Sequence, residues 1–119
     1  MNDHKERILV KPICHEDDVR KQVHADRWSK DLVGTRSVPT TSGFSMGVAL
    51  YSEKEFGERQ RHADQEAVYV ISGVGEIMIG EEVYPVRPGT AAYVPPQTVH
   101  CTRRTGPEPV KLAYAHGAI

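Results

Sequence analysis

The sequence predicts an all-β protein of one domain, folded as an antiparallel sandwich or barrel. Three observations carry that expectation. From Phe44 onward, short segments rich in Val, Ile, Tyr and Ala recur at close spacing, punctuated by Gly and Pro. Helical periodicity is confined to one weak stretch near the N-terminus. A chain of 119 residues is long enough for one packed core and too short for two.

Taken in order, residues 1–7 are polar, and Ile8, Val10 and Ile13 are expected to form a short strand ending near Pro12. From His15 to Leu32 charges are dense, and the spacing of Val19 and Val23, with Trp28 beyond, predicts one weakly amphipathic helix or turn. Residues 34–43, GTRSVPTTSG, read as a loop. Residues 1–35 are therefore assigned to an N-terminal extension and 36–119 to the barrel. Next, Phe44, Met46, Val48 and Leu50 alternate with smaller residues, which predicts a strand whose apolar face lines the interior and brings Met46 to a bound substrate. Further strands are expected at 67–72, 76–79, 83–86, 91–94, 99–102 and 110–115, with turns at Gly80-Glu81-Glu82 and Arg87-Pro88-Gly89-Thr90.

Composition excludes several classes. The 39% hydrophobic and 26% charged shares are those of a globular domain. Fifteen basic against 16 acidic residues leave a net charge of -1, so nothing draws the chain to nucleic acid or an anionic membrane. No apolar run reaches the length of a membrane span, and the opening MNDHKERILV lacks a signal-peptide core, so a cytoplasmic protein is expected. The two cysteines, Cys14 and Cys101, are too few for a disulfide framework, and Cys101 should point away from the face of its neighbour His100.

The chemistry-bearing residues sit at the two ends of the stretch from Gln60 to His100. On an extended segment Gln60 and His62 leave the same face, Glu66 follows after enough chain to re-enter it, and His100 supplies a distant further donor. Two imidazoles and a carboxylate leave open positions on an octahedral ion and suit non-haem Fe(II). Gln60 can add a weaker oxygen ligand or hydrogen-bond a metal-bound group. If His100 faces inward, Thr102 and Arg104 share its face, which makes Arg104 a candidate for an anionic substrate group. His116 continues the face of Val110, Leu112 and Tyr114 and is expected to border the pocket.

This spacing resembles the cupin family. Gln60, His62, Glu66 and Gly73 fall at the positions of that family's first motif, and Gly89, Pro95 and His100 at those of its second, with the short insert of small cupins between them. The chain departs from the pattern where Gln60 replaces the first metal histidine, Gln97 a glycine and Arg104 an asparagine. The leading glycine is displaced too, Gly57 lying only three residues before Gln60. The resemblance implies a double-sheet jelly roll and one divalent transition metal, Fe, Mn, Ni, Zn or Cu, held by Gln60, His62, Glu66 and His100. It also implies a homodimer in which the leading segment exchanges between subunits. The function it implies is a metal-dependent enzyme on a small organic molecule, foremost a dioxygenase. The alternatives are a lyase, isomerase or cyclase, with Glu66 as catalytic base if it is not a ligand, and a non-catalytic binding or sensing module. The stretch from Ser42 to Gly47 is similar to that of polyketide-tailoring members.

Overall fold

The computed structural model describes residues 11–34 and 37–117. Its strands are β1 (Gln22–Val23), β2 (Arg27–Val33), β3 (Ser45–Tyr51), β4 (Gln65–Ser72), β5 (Gly75–Ile79), β6 (Glu82–Val86), β7 (Ala91–Val94), β8 (His100–Arg104) and β9 (Val110–Gly117). They make a six-stranded sheet, β1-β2-β3-β9-β4-β7, and a three-stranded sheet, β6-β5-β8. Every pairing is antiparallel. β9 returns from the far end of the chain to lie between β3 and β4, and this Greek-key return makes the two sheets a jelly roll. The only helical element among the described residues is a 3-10 turn, Glu16–Asp18.

The core lies between the sheets, where Ala49, Tyr51, Val68, Val70, Val110 and Leu112 meet Ile77 and Val86. Local chemistry sets the corners. Gly80-Glu81 joins β5 to β6 with Gly80 at φ 62°. Pro88-Gly89 turns between β6 and β7, with Gly89 at φ 94° and the Thr90 N–H donating to the Arg87 carbonyl at 2.9 Å. At Gly73 a side chain is excluded twice over: φ is 84°, and a Cβ would lie 2.1 Å from the Pro109 carbonyl oxygen.

Two expectations are overturned. Of the helix or turn expected from His15 to Leu32, only the 3-10 turn at Glu16–Asp18 is present; the rest holds β1 and β2, and β2 pairs along its length with β3. Pairing to a formed neighbour overrides a weak helical spacing. The apolar face of β3 is also the reverse of that expected. Ala49 and Tyr51 join the core, while Met46, Val48 and Leu50 alternate to the other side. A barrel that keeps a cavity needs small and polar residues inside, so the more hydrophobic face is not the inner one. Of the expected leading strand, Ile8 and Val10 lie outside the described residues, and Ile13 is exposed and outside any strand.

Candidate metal centre

Three imidazoles, from three separate places in the chain, converge on one carboxylate oxygen of Glu66. Gln60 and His100 exchange backbone hydrogen bonds, each 2.9 Å, which joins the segment before β4 to the start of β8. The carbonyl of His62 accepts from the Gln97 N–H at 2.8 Å, tying down the turn that precedes His100. Glu66 is the second residue of β4 and stands directly across from His116 of β9. The sheet ladders therefore aim every donor except His62, which is held by the turn.

Glu66 Oε1 lies 3.1 Å from His62 Nε2, 3.1 Å from His100 Nε2 and 3.4 Å from His116 Nε2. His62, Glu66 and His116 each present a ligand atom within 4.8 Å of the others. The rings of His62 and His116 are tilted 34° with centroids 4.5 Å apart, and His62 meets His100 edge-on at 4.9 Å. Asp64 faces the opposite edge of two of these rings, with Oδ1 2.7 Å from His62 Nδ1 and 3.5 Å from His116 Nδ1.

The hydrogen bonds at Nδ1 decide what Nε2 offers. His100 Nδ1 is 2.9 Å from the Thr98 carbonyl and His62 Nδ1 is 3.0 Å from the Asp64 carbonyl; both oxygens can only accept, so both Nδ1 atoms carry hydrogen. In the neutral rings Nε2 is then a lone pair turned toward an ionised carboxylate. That repulsive arrangement requires a cation at its centre, a proton or a metal. His100 Nε2 is buried and, although close to Glu66, has no aligned hydrogen-bond partner. The donor set thus fits a divalent transition metal bound through Nε2 of the imidazoles and Oε1 of Glu66.

Electrostatics agree. Burial opposes the charge of Glu66, yet His100 and His116 outweigh it and hold the carboxyl at about 2. Burial likewise disfavours the charged imidazoles of His100 and His116, and the Glu66 carboxylate overcomes this and raises both. A carboxylate held this low binds a proton weakly, so Glu66 suits ligation better than the general-base role expected for it.

Glu66 and His116 of the cluster form one end of a cavity of 140 Å³ between β2, β3 and β9. Gln60 reaches this cavity, and its Nε2 donates to Tyr51 Oη at 3.1 Å. Burial pushes the Tyr51 phenol up to about 12. On the other wall Tyr114 Oη donates to Asp31 Oδ1 at 2.5 Å.

Of the residues expected at the site, the structure brings together His62, Glu66, His100 and Gln60, and it adds His116 to the cluster itself rather than to its border. Asp64 was missed; its short spacing from His62 and Glu66 was the available signal. Two residues lie elsewhere. Arg104 is at the far end of β8, about 13 Å along the strand from His100, and its Nη1 donates to the Pro107 carbonyl at 2.8 Å. Met46 is on the outer side of β3 and pairs with Ala115, so it does not line the cavity. Cys101 does point away from His100 and is buried.

The model of the cupin domain family matches residues 47–116, and the chain belongs to that family. Among solved structures it is similar to the Cnp3 cupin domain of Schizosaccharomyces pombe, at 15% identity and a TM-score of 0.72 over 87% of this chain and 71% of that one. It is also similar to the polyketide cyclase RemF of Streptomyces resistomycificus, at 15% identity and 0.73 over 89% and 78%. A third is Fe(II)-HppE, at 18% identity and 0.72 over 87% and 58%. These likenesses speak for the fold. No curated protein matches the sequence. No helix among the described residues is long and apolar enough to cross a membrane.

Proposed function

We propose that His62, Glu66, His100 and His116 hold one divalent transition metal and that the protein is an enzyme acting on a small organic molecule, foremost as an oxygenase. The observation that carries this is the approach of three imidazole nitrogens to one oxygen of a buried carboxylate, with Nδ1 committed to backbone carbonyls in two of the rings. An ion with nitrogen and carboxylate ligands and open positions supplies either oxygen activation or Lewis-acid polarisation of a carbonyl. The protein's own part is to hold the imidazoles in the ligating tautomer, to orient two of them through Asp64, and to keep Glu66 ionised. Gln60 stands where the family places a metal histidine, and its bond to Tyr51 holds it at the cavity wall. The iron in the HppE structure supports a redox reading. The likeness to a polyketide cyclase keeps a lyase or cyclase as the second one.

The test is metal content after loading with Fe(II), Mn(II), Ni(II), Cu(II) or Zn(II). Wild type is expected to take up one ion per chain. His116→Ala and Glu66→Gln should each lower the affinity by at least about 100-fold, because each removes a direct ligand. Gln60→Ala should lower it by less than about tenfold. A wild-type protein that retains none of these ions would overturn the enzyme reading in favour of a binding module.

A further inference from the structure

The cavity wall facing the metal cluster carries a hydrogen-bonding code of its own. Tyr114 has one hydrogen to give, and it is committed to Asp31 at 2.5 Å. Toward the cavity Tyr114 Oη therefore offers only lone pairs. Tyr51 is the opposite case: its oxygen accepts from Gln60 at 3.1 Å, which leaves its own hydrogen to donate. Gly47 makes the first of these arrangements possible. A Cβ there would fall 2.5 Å from Tyr114 Oη and 2.2 Å from the Lys30 carbonyl oxygen, so only a bare backbone lets the phenol cross β3 to reach Asp31 on β2. The cavity holds 140 Å³, the room of about five water molecules.

We propose that this cavity selects a compact hydroxy-carbonyl compound, its hydroxyl donating to Tyr114 Oη and its carbonyl or carboxylate oxygen accepting from Tyr51. The proposal deepens the metal-enzyme reading and rests on it only in taking the cluster as the cavity's other end. A substrate lacking the hydroxyl displaces water from the Tyr114 oxygen without replacing its donor and is disfavoured on that ground.

The experiment titrates neutral probes, which need no metal to bind, into the protein and follows its NMR shifts with and without Zn(II). Hydroxyacetone is expected to bind about tenfold or more tighter than acetone, and 2-hydroxyacetophenone is expected not to compete. Tyr114→Phe should erase the preference at unchanged metal content. Tyr51→Phe should weaken both small ketones alike and keep their ratio. Equal affinities for hydroxyacetone and acetone in wild type, or a competing 2-hydroxyacetophenone, would overturn the proposal even if Tyr114→Phe fails to fold. A protein that takes up no metal yet keeps the preference sinks the metal reading alone. One that binds metal without the preference sinks only this inference.

Discussion

The two sheets contribute to the cavity in opposite ways. The three-stranded sheet turns Ile77 and Val86 into the core and brings one chemically active side chain, His100, at the first residue of β8. The six-stranded sheet carries Glu66, His116, Tyr114, Tyr51 and Asp31 on its inner side, with Ala49 as spacer. One sheet thus adds two core residues and a single ligand, while the other supplies the rest of the core, Ala49, Tyr51, Val68, Val70, Val110 and Leu112, and also builds the polar wall with the desolvation that comes with it. In the six-stranded sheet packing and chemistry share the same strands, whereas in the three-stranded sheet they fall on different ones, a contrast that mutation can test.

The sharpest break is in the three-stranded sheet. Ile77 is buried at 3% exposure and packs in the core, so Ile77→Ala should lower unfolding free energy by about 3 kcal/mol. Metal affinity per folded molecule should stay unchanged; a parallel loss of metal in chelator competition would show that packing and ligation in this sheet are not separable.

The polar wall should respond to pH instead. In the metal-free protein Glu66 is held at about 2, below its ordinary 4.5, so its contribution is complete above 4.5 and is lost as pH falls through 2. His100 and His116 are raised above 6.5, so theirs is complete below 6.5 and is lost as pH rises through the raised values. The metal-free melting temperature should peak between 4.5 and 6.5 and fall on the alkaline side. Glu66→Gln should flatten that fall, and a wild-type profile level from about pH 5 to 9 would contradict the assignment.

The smallest effect is expected at the seam between the sheets. Gln97 occupies the family's glycine position and adopts φ 59°, a left-handed conformation that costs a side chain about 1 kcal/mol. Gln97→Gly relieves this but frees the unfolded chain and gives up the 3.4 Å bond from Arg61. The net gain should be about 0.5 kcal/mol, seen as a rise of about 2 °C in Tm.

The sequence made the strands from β3 to β9 legible because they are short, mostly apolar or β-branched, and most are closed by a nearby Gly or Pro. His62, Glu66 and His100 were legible from spacing, since an alternating backbone leaves few ways for such donors to meet. β2 was hidden because its inner face, Arg27, Ser29 and Asp31, is polar, so alternation shows as charge rather than as hydrophobicity. The same cause reversed β3, whose inner residues, Gly47, Ala49 and Tyr51, are small or polar. His116 carries no motif of its own, and its place depends on β9 lying beside β4, a pairing that local sequence does not encode.

The reciprocal backbone bonds between Gln60 and His100 have a kinetic consequence. The donors they draw together are remote in the chain, so none of the pairs beyond His62 and Glu66 exists until the barrel has closed. Ion capture is then a late event in folding, and its rate after dilution from denaturant should follow β8 and β9 docking rather than the encounter of an ion with a nascent chain.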